Sequence, residues 1–230
     1  MPDIDPTDVD SVNSIETKYP ELRRRSKGPT FALQYMGTAY TLHKRAGFPI
    51  DQATQIEKAF HELYKVSGEF NEKNMEKHGY VECAFGLKLR TPIISKCVLG
   101  NSKTPHEADK EARSANNAIT QSWGMLLNRA MNATNARIEE AGYSEDILPC
   151  NMIHDAGYFL VKNNPECIKF LNDVLIKEME WNDDAKIKST SVPMKASLEV
   201  GKSWDKLTQL HNNATLEEII NVFPILTGSA

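Results

Sequence analysis

Apolar and polar positions change period several times along this chain, and the changes mark its elements. Met1 to Pro20 has no clean period and is interrupted by prolines and acids, so it is expected to be an extended or poorly ordered lead-in without a core of its own. From Arg23, charged and then aromatic positions recur every four residues, which predicts a helix to about Tyr35. Pro29 lacks a backbone donor and disfavours a helical Gly28, so a kink or a late helix start is expected there. A short helix should follow to Arg45, ended by Gly47. Asp51 is then expected to cap a long amphipathic helix to about Lys77, with Ile56, Ala59, Phe60, Leu63, Tyr64 and Phe70 as its apolar stripe.

The period then shortens. Gly79 to Arg90 holds two short alternating runs around a turn containing Gly86, a hairpin pattern. Pro105 and His106 open a helix expected to reach about Glu140, with Ala115, Ala118, Ile119, Ser122 and Leu126 on its smaller, apolar face. Ile147 to Ile153 and Tyr158 to Val161 flank His154-Asp155-Ala156-Gly157, a second hairpin with a charged turn. A helix from Pro165 to Trp181, a strand near Met194 to Val200 and an amphipathic stretch from Leu216 to Phe223 complete the series. Helices, hairpin, helix, hairpin, helix and strand in that order predict an α+β fold with an antiparallel sheet.

Composition narrows the class. The chain has 230 residues, 40% hydrophobic and 25% charged, with a formal charge of −4. That is an ordinary globular balance and no general nucleic-acid signature. Charge is unevenly placed, however. Met1 to Glu21 carries six acids (Asp3, Asp5, Asp8, Asp10, Glu16, Glu21) against Lys18, whereas Leu22 to Ile50 carries six Lys or Arg and no acid. A basic band on a weakly acidic chain argues for a local anion site. Cys83, Cys97, Cys150 and Cys167 have no metal-ligand spacing, and free thiols in a reducing compartment are expected. No apolar run approaches the length of a membrane span, and the acidic N-terminus is unlike a signal peptide, so a cytoplasmic protein is expected.

Three constellations could carry chemistry. Arg23, Lys27, Phe31 and Tyr35 fall on one helical face, cations first and aromatics last. That order suits a ligand with a polyanionic tail and a flat ring, such as a nucleoside triphosphate; the bland alternative is a solvated basic turn followed by core aromatics. Arg113, Asn117 and Gln121 form a second row of spacing four, either an exposed polar face or donors that meet groove acceptors and sugar oxygens of a duplex. Asp155 sits between apolar strands that imply burial on either side. Two readings stand side by side there, a turn carboxylate and a ligand for Mg²⁺.

The order of these pieces resembles family A DNA polymerases, the DNA polymerase I-like enzymes. Arg23-x-x-x-Lys27-x-x-x-Phe31-x-x-x-Tyr35 is similar to motif B, the nucleotide-binding fingers helix, and Met152-Ile153-His154-Asp155 to motif C. Arg113-x-x-x-Asn117-x-x-x-Gln121 resembles the palm helix between them. Gly79-Tyr80-Val81-Glu82 with Arg90 resembles the family's hairpin, and Val192-Pro193, Leu198-Glu199-Val200-Gly201 and Trp204-Asp205 its C-terminal strand. The resemblance runs from about Tyr19 to Asp205. The wording of Lys27 to Tyr35 is most similar to replicative polymerases of tailed bacteriophages.

The resemblance implies fingers helices plus part of an antiparallel palm sheet: an acidic lead-in over 1–20, fingers over 21–78, palm over 79–205 and a C-terminal tail over 206–230. It implies that Arg23 and Lys27 bind the triphosphate of the incoming dNTP and that Phe31 stacks on its base and sugar, disfavouring dideoxynucleotides relative to a Tyr. Tyr35 would abut the templating position. Arg113, Asn117 and Gln121 would track primer-template DNA near the primer terminus. Asp155 would ligate Mg²⁺ beside His154 in a two-metal site.

Departures bear on activity. Ala156 stands where the family usually has a second motif C acid, and Ala32 and Met36 replace glycines common in the fingers helix. No segment before Arg23 matches motif A, the strand that carries the family's other metal-binding aspartate. The expectation is therefore the C-terminal part of a polymerase, cut into near its fingers, with an upstream polypeptide supplying motif A and the thumb. A catalytically inactive DNA-binding remnant is the alternative. A surface that only docks another protein is a third reading.

Overall fold

Among the described residues the apolar stripes close into four small cores, two in each of two units, Met1–Gln121 and Ser122–Ala230. The computed structural model describes residues 3–97, 105–184, 187–189 and 193–227, without the side chains of 71–77, 84 and 222–227. Val192 of the C-terminal motif lies outside the described residues.

In the first unit the lead-in is helical where extended chain was expected. It forms α1 (Val9–Asn13) and α2 (Ile15–Lys18). The Asp8 carboxylate accepts the Asp10 amide at 3.1 Å and starts α1, which local capping alone can do. Neither helix buries a residue, in keeping with the absence of a core. Next, α3 (Pro20–Gln34) opens on Pro20 and runs through Pro29 without a break, correcting the expected kink or late start. Gly28 explains the tolerance: the proline ring clashes with the preceding residue's Cβ, and Gly28 has none.

Thr38 and Thr41 form a reciprocal capping box at α4 (Ala39–Ala46), and Gly47 ends it at φ 73°. The expected single helix from Asp51 is two, α5 (Ile50–Leu63) and α6 (Lys65–His78), divided at Tyr64. Pro49 occupies the cap position, so Asp51 lies inside the first turn. Past Phe60 the stripe stays exposed at Leu63, Tyr64, Val66 and Phe70, so no packing face enforces one straight axis. The expected hairpin is present: β1 (Tyr80–Glu82) pairs antiparallel with β2 (Lys88–Arg90), Val81 opposite Leu89. Finally α7 (His106–Thr120) sets Ala112 and Ala115 against Val81 and Ile94.

The second unit begins where the expected helix to Glu140 is interrupted at Gln121–Trp123; α8 (Gly124–Glu140) is separate, opening on the glycine least suited to a helix interior. A hairpin follows, β3 (Ile147–Ile153) with β4 (Ala156–Val161). Its register shifts between Pro149 and Asn151, where proline cannot donate to the ladder. Asn164 accepts the Glu166 amide at 2.7 Å and caps α9 (Pro165–Met179). Leu127, Met131 and Ile138 of α8 join Leu171 and Leu175 of α9 in the largest core, with Phe159 and Val161 packed on it. The lone strand expected at Met194–Val200 is instead a hairpin placed later, β5 (Glu199–Ser203) and β6 (Lys206–Gln209). Trp204-Asp205 supplies the turn, a pair of residues without the glycine that would have signalled it. Last, α10 (Leu216–Thr227) packs on α9 and β5.

The class is α+β with antiparallel pairing, as expected. The strands among the described residues form three two-stranded ribbons. No helix among these residues is long and apolar enough to cross a membrane.

Candidate functional site

The core face of α3 determines what its far face can do. Pro29 and Leu33 are buried, Leu33 at 3% exposure, against Ala39, Leu42 and Ala53. Lys27, Phe31 and Tyr35 are offset from them by two residues, about 200° around a helix, and so point the opposite way. Phe31 is 59% exposed and Lys27 is exposed, while Arg23 and Tyr35 are half-buried. The aromatics are therefore not core, and the row Arg23, Lys27, Phe31, Tyr35 is a solvent-facing surface. Arg23 is paired with Glu16 of α2 at 3.2 Å, and Arg24 forks onto Glu21 at 2.7 and 3.0 Å. No ion pair engages Lys27 among the described residues.

The row ends in a tight cap. Met36 takes φ 57°, its amide donates to the Leu33 carbonyl at 3.0 Å, and the Gly37 amide donates to Ala32 at 2.7 Å. These paired bonds are a Schellman motif, whose left-handed position usually holds glycine. A Cβ on Gly37 would lie 2.5 Å from the Ala32 oxygen, so that site admits only glycine.

Arg113 is exposed on α7, Gln121 is exposed at its C-cap, and Asn117 is half-buried between them. The Asn117 Oδ1 atom is buried and has no hydrogen-bond partner among the described residues. Beside this row stands Asn116, 6% exposed, whose Nδ2 donates to the Gln34 carbonyl at 2.8 Å. Sequence reasoning missed it. The available signal was a polar residue on the stripe Ala112-Ala115-Ile119, a place where an amide needs a partner.

In the second unit, His154 and Asp155 form the two-residue tip of the β3–β4 hairpin, with Ala156 and Gly157 in β4 instead of the expected turn. His154 is at φ 56°, the positive angle that tight hairpins need at their first turn position. The expected burial of Asp155 is corrected: it is exposed, because the tip projects beyond both strands. Gly157 leaves room for α8: a Cβ there would meet the Met131 Sδ at 2.4 Å. Trp204, 72% exposed, stacks on Tyr158 of β4 with ring centroids 4.9 Å apart and planes 6° apart. No group of three His, Cys, Asp or Glu suited to a metal ion occurs among the described residues. Asp155 alone fits a cation that takes one carboxylate and completes its shell with phosphate and water oxygens, as Mg²⁺ does; it does not make a two-metal site.

The sequence model of DNA polymerase family A matches residues 7–206. The chain belongs to DNA polymerase family A. Among solved structures it is similar to "POL domain of Pol1 from M. smegmatis complex with DNA primer-template and dNTP", at 21% identity and a TM-score of 0.62. That likeness covers 79% of this chain and 30% of the other, so this family A chain spans under a third of the length of the domain it matches. No curated protein matches significantly. The family A match takes in α3, α7, the β3–β4 hairpin and Trp204 within one stretch.

Proposed function

We propose that this chain grips a dNTP along α3 and offers Asp155 to Mg²⁺ in template-directed DNA synthesis, the attack of a primer 3′-OH on the α-phosphorus of the dNTP with release of pyrophosphate. The observation that carries the reading is the far face of α3. Two cations and two aromatics, spaced at one helical turn, lie away from the core on the other side, Lys27 and Phe31 exposed and Arg23 and Tyr35 half-buried. On this reading Arg23 and Lys27 neutralise the triphosphate, Phe31 stacks on base and sugar, and Tyr35 abuts the templating base. Arg113, Asn117 and Gln121 contact sugars and groove edges of primer-template DNA, and His154 stands near the primer end. Mg²⁺ held by Asp155 would supply charge neutralisation at the reacting phosphate.

One carboxylate is half of a two-metal site. We infer that an upstream polypeptide supplies the motif A aspartate and the thumb. The β3–β4 hairpin favours this, since Leu148, Met152, Ile153 and Leu160 are exposed, which leaves apolar surface and unpaired edges that further strands would cover. The reading keeps fingers at 21–78, palm at 79–205 and tail beyond. It keeps the tailed-phage replicative type on the wording of Lys27 to Tyr35. The four free thiols suit a reducing cytoplasm. Primer extension with this chain, the upstream polypeptide, Mg²⁺ and dNTPs is the test, and no incorporation in that mixture would refute the split enzyme. The exposed, lone Asp155 beside Ala156 favours a second reading, an inactive DNA-binding remnant. It predicts primer-template binding that survives Asp155→Ala without extension under any complementation.

A further inference from the structure

The last four carbonyls of a helix have no partner inside it, and each must find one elsewhere. At the end of α3, Phe31 and Leu33 accept the Tyr35 amide, Leu33 also accepts Met36, and Ala32 accepts Gly37. The fourth carbonyl, Gln34, is met by a side chain 82 residues away, the Asn116 amide of α7. A carbonyl can only accept, so the group facing it is the Nδ2 end of that amide and the orientation is fixed. Asn116 is buried and Gln34 half-buried, so a lost partner is costly there.

We propose that Asn116 is a positioning residue for nucleotide selection: it pins the Gln34–Tyr35 peptide to α7 and so sets where Tyr35 stands relative to the Arg113-Asn117-Gln121 row. This rests on the proposed polymerase reading for its functional consequence and on the hydrogen-bond accounting for its structural one. The peptide that Asn116 holds carries the Tyr35 amide, and Tyr35 is the last member of the α3 row. Asn117, the next residue on α7, belongs to the row assigned to primer-template DNA. One side chain thus ties the end of the nucleotide helix to the helix proposed to contact the duplex. Met36 holds the left-handed position of this cap at a steric cost that glycine would not have, which raises the demand on the outside anchor.

The test compares the full chain with Asn116→Leu, similar in volume but without a donor, and Asn116→Ala, which adds no bulk should the leucine variant fail to fold. In the complemented polymerase the expected result is a KM for dNTP raised about fivefold, the scale of one net hydrogen bond, with kcat and primer-template affinity unchanged. A purely structural role would lower the active fraction and cut kcat instead, and that outcome overturns the proposal. Amide hydrogen exchange in the chain alone supplies the second arm: Tyr35, Met36 and Gly37 should exchange about fivefold faster in either variant. Unchanged exchange there overturns the anchor itself. If the wild-type chain takes no dNTP with its complement, the polymerase reading falls and selection by Asn116 falls with it. Faster exchange would then still establish the α3–α7 anchor.

Discussion

Pro29 and Leu33 hold α3 from behind, in a core shared with Ala39, Leu42 and Ala53, while the β3–β4 hairpin has a core on one face and, on the other, the Trp204 ring stacked on Tyr158. Phe159 and Val161 pack down onto α8 and α9; Leu148 and Leu160, one residue over in register, face solvent. A helix backed by its own core presents the opposite face whatever else is bound. A two-stranded ribbon has no such guarantee, because its outer face and its edges remain to be covered. The outward face of α3 is thus fixed within its own unit, whereas the Asp155 carboxylate is exposed at a hairpin tip with no second acid in the turn.

The comparison can be broken most sharply at the tip. Asp155→Asn should cost the complemented enzyme about a thousandfold or more in incorporation, as loss of a metal-binding charge from phosphoryl transfer does, with primer-template affinity retained in a gel shift. Lys27→Ala should lower kcat/KM for dNTP about a hundredfold. Wild-type kinetics for Lys27→Ala would remove α3 from the proposed nucleotide site.

Stability measurements sharpen the contrast between backed and uncovered faces. Leu33→Ala, at a buried site, should cost about 3 kcal/mol in denaturant unfolding. Leu160→Ser, at a residue 65% exposed, should stay within about 0.5 kcal/mol in this chain alone. Equal losses at the two positions would dissolve the distinction. Met36→Gly should raise stability by about 1 kcal/mol, because a left-handed residue with a Cβ is replaced by one without that penalty.

The smallest effect concerns pH. Glu218 accepts the Thr215 amide at 2.7 Å at the start of α10, and that hydrogen bond holds its carboxyl below the ordinary value of 4.5. A lowered carboxylate stabilises the fold above its ordinary pKa and loses that contribution as pH falls through the lower folded value. Glu218→Gln should therefore lower thermal stability slightly at neutral pH and leave it nearly unchanged at low pH, flattening the acid limb of the curve below about pH 4.5.

Much of this was legible in the chain, and the failures have physical causes. Period-four spacing put Arg23, Lys27, Phe31 and Tyr35 on one face because helical geometry is local. The β3–β4 hairpin was legible from apolar runs around a polar turn. The breaks at Tyr64 and at Gln121–Trp123 were not, since the apolar stripes continue through both and only packing decides where an axis bends. The lead-in helices were hidden because Asp8 caps α1 without any apolar period beneath it. Asp155 was misjudged because flanking apolar residues say nothing of how far a two-residue tip projects. Asn116 could not be read at all from local pattern, as its partner lies 82 residues away.

The contact between Gly157 and Met131 has a chemical consequence. The thioether sulfur fills the place a side chain on Gly157 would occupy, so the hairpin behind Asp155 leans on an oxidisable atom. Conversion of Met131, 7% exposed, to its sulfoxide would put a polar oxygen in the core beside Gly157, lifting the strand that follows the tip. Peroxide damage, with no change of sequence, is thus a route by which the carboxylate could be moved while the face of α3 stays intact.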